Sequence, residues 1–511
     1  MAKAIMLQGT GSNVGKSILV TALCRILKQD GYSAVPFKSQ NMALNSYVTL
    51  SGDEMGRAQV AQAEAAGLVP SVKMNPVLLK PTGNSTSQVI IMGKAVGVMS
   101  AKQYHTEYSI TALQTIEACL RDLHEQYDAM IIEGAGSPAE VNLRATDIAN
   151  MRIAKLAPAP VILVTDIDRG GALAAVVGTL ELLEPDERAL VKGIIINKFR
   201  GDIVLLKPAL DFLEEKTGLP VLGVIPYIDG HGIDDEDSVA LDAKQTAHNK
   251  AIDIAVIRTG KISNFTDFEV LANETDAGVR YVRYKEDLGK PDLLILPGTK
   301  NTVEDLLELR QNGLAHAIIG LAEQGVPIIG ICGGYQMLGR KIYDPEHAES
   351  SRDELDGLGL LASETIFSSQ KLTRQITATC SGKGFLGTIY RGVPLKGYEI
   401  HMGRTTIAAG AKAAFAIKQA SADKGVDDGL VSDNGLVMGT YIHGIFENDE
   451  YRRMIINGLR KRKGLKAQTS GAVISERKEE NYNRLAQTVR NALDMDKVYE
   501  IMGVRIVTSS K

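Results

Sequence analysis

The chain has 511 residues, 44% of them hydrophobic and 23% charged, with a net charge of -4. That is ordinary globular composition, too long for one core and too near neutral for an electrostatic nucleic-acid binder, so two or three domains are expected. The four cysteines (Cys24, Cys119, Cys332, Cys380) lack paired spacing, which argues against a zinc motif or disulfide framework; with no signal-peptide pattern and no bilayer-length apolar run, the expectation is a cytoplasmic protein.

In chain order, Ala4 to Gln8 reads as a short strand and Ile18 to Leu27 as a helix. Between them lies Gly9-Thr10-Gly11-Ser12-Asn13-Val14-Gly15-Lys16-Ser17. Strand, glycine loop and helix are the context of a P-loop, whose backbone N–H groups cradle phosphates. Lys16 would reach the β/γ-phosphates and the Ser17 hydroxyl would take Mg²⁺. The spacing departs from G-x-x-x-x-G-K-[ST], with Thr at position 10 and the first glycine one residue early.

A second strand, Ala34 to Lys38, runs into the polar loop Ser39 to Ser46. Lys38, Gln40, Asn41 and Asn45 beyond a strand's carboxyl end fit an acceptor site, or equally a capped surface turn. Asp53 and Glu54 are adjacent candidates for an additional Mg²⁺ ligand, of which Glu54 is taken. Asp128 to Ile132 is a buried-strand pattern ending in Glu133, a carboxylate placed to hold Mg²⁺ beside the P-loop. Ala159 to Thr165, Val191 to Ile196 and Leu219 to Ile225 continue the series, and Asn197 at a strand end is a candidate purine-reading residue. Strands alternating with helices imply a mostly parallel sheet covered on both faces.

From Asp229 to Lys250 the sequence is polar, acidic and aperiodic, the pattern of a linker. Ile252 to Ile257 opens a second α/β series. Asp292 to Leu296 ends at a Pro297-Gly298-Thr299 loop, and Val326 to Ile331 ends at Cys332-Gly333-Gly334 before a helix. A strand turning sharply into a helix between small residues exposes its central side chain on a strained elbow. A thiol there sits near a helix N-terminus, which favours the thiolate. On adjacent strands, the Gly298 loop and Gly333 could supply oxyanion donors beside Cys332.

A cysteine nucleophile needs a base. Of eight histidines, His105, His124, His231, His248 and His316 lie in polar or helical surroundings and His347 in an acidic loop. His401 and His443 each end a strand just before glycine; the more apolar strand preceding His443 favours it, although a buried, non-catalytic histidine is an even alternative.

The elbow G-I-C-G-G-Y-Q-M-L-G and the distant Y-I-H-G-I-F resemble the triad-type (class I) glutamine amidotransferases, in the branch of cobyrinic and cobyric acid amidases. The first half, with G-T-G-S-N-V-G-K-S, resembles dethiobiotin-synthetase-like P-loop ligases. With F-K-S-Q-N-M-A-L-N-S, M-N-P-V-L-L-K-P, E-G-A-G-S, D-I-D-R-G-G and N-K-F-R-G-D in order, nearly the whole chain is similar to the cobyric acid synthases of that family. The resemblance implies an α/β fold of two domains, residues 1–235 an ATP-dependent amido-ligase and 251–485 a glutamine amidotransferase, joined by a linker at 236–250, with 486–511 a tail of unreadable role. It implies ATP, Mg²⁺, glutamine and a corrinoid as ligands. The reaction would amidate the b, d, e and g carboxylates of adenosylcobyrinic acid a,c-diamide through acyl phosphates, with Cys332 releasing ammonia from glutamine and His443 moving protons. The glutamate that most class I amidotransferases carry two residues past the histidine is Ile445 here, similar to the cobyric acid branch, which lacks this third member, and Glu447 cannot be assumed to replace it.

Two other readings compete. Cobyrinic acid a,c-diamide synthases run the same chemistry on other carboxylates; the Lys38 to Ser46 and Asp166 to Gly171 stretches argue against that. A deviant-Walker switch ATPase would carry an early loop lysine, absent at Thr10, Gly11 and Ser12, and has no use for a cysteine elbow.

Overall fold

The computed structural model describes residues 2–83, 85–104, 108–234, 250–380, 384–387, 394–411, 413–418 and 426–505. The expected linker 236–250 lies outside them except for Lys250, as do His105, His248 and the last residues of the tail.

The first half builds a six-stranded parallel sheet, ordered Val221–Pro226, Val191–Phe199, Val161–Asp166, Lys3–Gly9, Ala129–Glu133, Ala34–Phe37. Its strands are apolar runs because helices cover both faces, and two buried clusters flank the sheet. Lys3–Gly9 sits centrally, between Ala129–Glu133 and Val161–Asp166. The glycine loop therefore opens at the carboxyl ends of three strands, the crevice where such sheets bind ligands. A smaller four-stranded sheet, which includes Gln40–Met42 and Val77–Pro81, carries the polar loop and Lys80.

The second half repeats the scheme. Ala277–Val282, Ile252–Ile257, Leu293–Leu296, Ile328–Ile331 and Val437–Thr440 run parallel, and Leu430–Val431 adds an antiparallel edge. Leu293–Leu296 and Ile328–Ile331 are neighbours, so the Gly298 loop and the cysteine elbow lie side by side. A long hairpin, Ser363–Cys380 against Leu395–Ile407, forms a second sheet whose Ile400 backbone reaches Cys332.

The tail is where sequence and structure part. The boundary drawn at 485 cuts through one helix, Ile474–Ala492. Its apolar face (Tyr482, Leu485, Ala486, Val489) shares a core with Leu19, Leu23 and Ile26 of the phosphate-loop helix Lys16–Gln29. Arg25–Glu479 at 2.6 Å and Arg490–Asp30 at 2.8 Å frame that seam. The chain thus returns from the second domain to close the first, something a local periodicity cannot announce. Leu485 is 1% exposed, so Leu485→Ala is expected to destabilise the protein by about 2–5 kcal/mol through the cavity it leaves. Thermal unfolding with and without ATP measures it; a melt within error of wild type would contradict this packing.

Candidate active site

The phosphate loop is held open by its own lysine. Lys16 Nζ donates to the carbonyls of Gly11 (3.0 Å) and Gly136 (3.1 Å), bridging the loop to the end of the Glu133 strand. Gly15 has φ +95, and a Cβ there would collide with the Asn197 amide, so glycine is required twice over. Asn197 Nδ2 donates to Val14 O at 2.7 Å, and Lys198 Nζ to Asn13 O at 2.6 Å. Asn197 is thereby fixed at the loop's rim, next to the residues named from Gly9 to Ser17.

The Ser17 hydroxyl donates to Glu133 Oε1 at 2.8 Å, and Glu133 is 1% exposed. Hard oxygen donors converging at the first turn after a P-loop fit a small divalent cation such as Mg²⁺. Lys38 Nζ also donates to Glu133 Oε1 (2.9 Å) and Gln62 to Oε2. Lys38 thus meets the carboxylate at the end of the strand beside the phosphate loop.

Cys332 occupies the predicted elbow with φ +52 and ψ −108, a strained conformation for a residue bearing a Cβ. The strain is sustained by packing on every side: its N–H donates to Thr440 O at 2.8 Å, and a Cβ on Gly334 would strike Leu296 O. Gly333 packs against Thr299 of the neighbouring loop, with no room for a side chain between them. Gly298 faces the His443 ring. The two expected oxyanion glycines therefore border the same point as the thiol.

The thiol and the His443 ring line the same pocket, and the ring's Nδ1 is 2.7 Å from Asp267 Oδ2. Asp267 Oδ1 also accepts the N–H of Gly444 at 2.9 Å, which fixes the carboxylate relative to the turn after the histidine. Burial alone would push the His443 pKa down; the Asp267 carboxylate and the thiol reverse this and raise it to about 10. The ring is protonated at neutral pH. Tyr398 stacks on it at 5.3 Å between centroids, inclined by 16°.

Asp267 is the residue the sequence analysis missed. It replaces the expected glutamate: Ile445 is buried in the core, and Glu447 instead pairs with Arg57 at 2.9 Å. Asp267 lies in the first turn of Thr266–Ala272, far from His443 in sequence. Its one signal is a carboxylate just beyond the first strand of the second domain, in N-F-T-D-F-E.

Other expectations are corrected. Glu54 is engaged elsewhere: burial would raise its pKa, but the ammonium groups of Lys80 (2.9 Å) and Lys371 on its carboxylate hold it down at about 2. It also lies behind the pocket of Cys332, not beside the phosphate loop, since Lys80 and Lys371 both line that pocket. The acceptor-loop residues disperse. Asn41 donates to Gln59 Oε1, Gln40 accepts from the Tyr104 hydroxyl, and Asn45 Oδ1 accepts the N–H of Phe265 in the other domain. Two asparagines that read as polar surface are 1–2% exposed struts. His401 lines the Cys332 pocket, but its Nδ1 faces Gly403 O at 2.7 Å and its ring stacks on Tyr441.

The pocket in front of Cys332 is cationic and shared between domains. Lys80 enters from the first, Lys300 and Lys371 from the second, with Glu349 opposite. Burial lowers the pKa of Lys300, lowers that of Lys371 to about 8 and raises that of Glu349 to about 7. Among the described residues no helix is long and apolar enough to cross a membrane.

Comparison with known proteins agrees with this division. Residues 5–234 match the model of the CobQ/CobB/MinD/ParA nucleotide binding domain, and residues 253–451 that of the CobB/CobQ-like glutamine amidotransferase domain. The chain is 56% identical to a cobyric acid synthase of Pelotomaculum thermopropionicum, over 99% of this chain and 97% of that one. It is 53% identical to that of Moorella thermoacetica (99% and 98%) and 52% to that of Dehalococcoides mccartyi (99% of each). Matched at this level from end to end, the chain belongs to the cobyric acid synthase family, which joins a nucleotide-binding domain and a glutamine amidotransferase domain in one polypeptide.

Proposed function

We propose that this enzyme uses ATP and glutamine to convert adenosylcobyrinic acid a,c-diamide to adenosylcobyric acid, amidating the b, d, e and g carboxylates in cobalamin biosynthesis. The observation that carries the reading is the buried Cys332–His443–Asp267 constellation facing a pocket that the P-loop domain itself helps to line. A carboxylate resists attack by ammonia, so the ligase domain (1–235) first activates it by phosphoryl transfer from ATP. Ammonia then attacks the acyl carbon and phosphate leaves. Lys16 and the loop amides bind the transferring phosphate, while Ser17 and Glu133 would hold Mg²⁺, which offsets phosphate charge when bound. Residues Gly9 to Ser17 and Asn197 form the nucleotide site in this reading.

In the amidotransferase domain (251 to about 473), the proton lies on His443 and Cys332 attacks the glutamine amide carbon. The oxyanion is received at the Gly298 and Gly333 backbone. His443 then gives its proton to the departing ammonia, leaving a glutamyl thioester that water hydrolyses to glutamate.

Asp267→Asn is expected to lower kcat for glutamine hydrolysis by about 10²- to 10⁴-fold. The pH profile supplies the sign. With Asp267 the ring keeps its proton until about pH 10, so the wild-type profile has no imidazole step from pH 6 to 9. Without the carboxylate the proton is lost at lower pH, and activity falls as pH rises through neutrality. A variant with the wild-type profile would remove Asp267 from the site.

The choice between this acceptor and a fully unamidated one rests on the product. Incubation with ATP, glutamine and cobyrinic acid a,c-diamide, followed by mass spectrometry, should show four successive amidations at about one ATP per amide. No reaction with the a,c-diamide, but amidation of the a and c carboxylates in a parallel incubation with cobyrinic acid, would favour the a,c-diamide synthase reading instead.

A further inference from the structure

The turn that carries Asp267 is held from the other domain. Residues Ser263, Asn264 and Phe265 lead directly into the helix Thr266–Ala272. Asn45 Oδ1 accepts the Phe265 N–H at 3.1 Å. Asn264 Nδ2 donates to Ser46 O at 3.0 Å, and its Oδ1 accepts the Ser46 N–H at 3.4 Å. Asn264 Nδ2 also donates to the Tyr398 hydroxyl at 2.9 Å, and that hydroxyl in turn reaches Ser46 O at 3.3 Å. Asn45, Ser46, Asn264 and Tyr398 are 1–3% exposed and Phe265 is fully buried. Asn264 itself stands at φ +52, a left-handed conformation that asparagine tolerates better than most residues. Its side chain is held from the P-loop domain by Ser46 and from its own domain by Tyr398.

Both supports of the His443 ring converge on this loop. Asp267 follows the bridged turn by two residues, and Tyr398, which stacks on His443, shares its hydroxyl partners with that turn. At its other end the same loop begins at Lys38, on Glu133 of the phosphate site. We infer that Asn45 and Ser46 of the ligase domain, acting through Asn264 and Phe265, are positioning groups for the glutaminase site, so that its Asp267–His443 pair is aligned only while the ligase loop is docked. The inference rests on the glutamine amidotransferase reading above, because it assigns the alignment of His443 its purpose.

Two variants of the full-length enzyme test it. Asn45→Ala leaves the Phe265 N–H without its acceptor. Asn264→Gly deletes all three of its side-chain hydrogen bonds while keeping the left-handed turn, which glycine adopts without strain. In each, kcat for glutamine hydrolysis should fall about tenfold to a hundredfold with KM for glutamine little changed, as expected for a displaced catalytic group. The ratio of glutamine-supported to ammonia-supported amidation should fall in parallel, the ammonia reaction reporting that the ligase domain is folded. The inference is overturned if both variants keep the wild-type ratio or if KM rises alone. None of these outcomes touches the role of Cys332, whose own substitution fails or succeeds independently.

Discussion

Cys332→Ser should abolish glutamine-supported amidation, by at least about 10⁴-fold, while amidation from added ammonium salts proceeds at the wild-type rate. The size follows from chemistry rather than from structure loss. Serine fits the elbow, since the strained φ of +52 is imposed by the Thr440 contact and the glycines on either side, not by sulfur. What is lost is a polarisable nucleophile whose proton can rest on His443. Ammonia supplied from solution bypasses the pocket, so the ligase reaction continues. Assaying corrinoid amidation with each nitrogen source, at matched pH, separates the two activities. Retention of glutamine-supported activity by Cys332→Ser would remove the amidotransferase assignment.

Lys16→Ala should behave in the opposite way and stop both reactions, by about a thousandfold or more, because phosphoryl transfer precedes either source of nitrogen. The side chain does two things in the present geometry. In the proposed mechanism its ammonium group meets the β/γ-phosphates, and its bonds to Gly11 O and Gly136 O tie the loop to the end of the Glu133 strand. Alanine removes charge and brace together. Lys16→Ala should still hydrolyse glutamine and should still be alkylated at Cys332, since the thiol lies in the other domain. Loss of ATP-dependent product with either nitrogen source, alongside intact glutamine hydrolysis, is the expected pattern. If ammonia-supported amidation survived, the phosphate loop would not be the site of activation.

The two substitutions act on stretches that were legible as one-dimensional patterns. The glycine loop and the cysteine elbow each combine an apolar run, a turn and a helix within a dozen or so residues. Their chemistry is local, so spacing reveals it. The strand series in each half was readable for a related reason: strands buried on both faces are continuous apolar runs, with ends a residue or two from where the hydrogen bonds place them.

Composition misled where polarity served the interior. Asn41 and Asn45 read as acceptor-facing because amides gather at ligand sites, but each satisfies a buried partner. Glu54 read as a cation ligand because acidic pairs often are. Two lysines, one in the four-stranded sheet of its own domain and one in the hairpin of the other domain, neutralise it instead. An isolated buried carboxylate would be costly, and no sequence window contains both of its partners.

By itself, then, the sequence determined the two chemistries and their order along the chain, and offered a thiol and a histidine as candidates, because each rests on residues close in sequence or on a scarce residue type. Only the tertiary structure decided what completes them. Asp267 orients a histidine that lies 176 residues away. The helix Ile474–Ala492 leaves the second domain to pack on the phosphate-loop helix of the first. Asn45 secures the turn before Asp267 across the domain boundary. Such pairings are fixed by how two sheets dock, and hydrophobic periodicity carries information about burial within one element, not about which distant polar group it will meet.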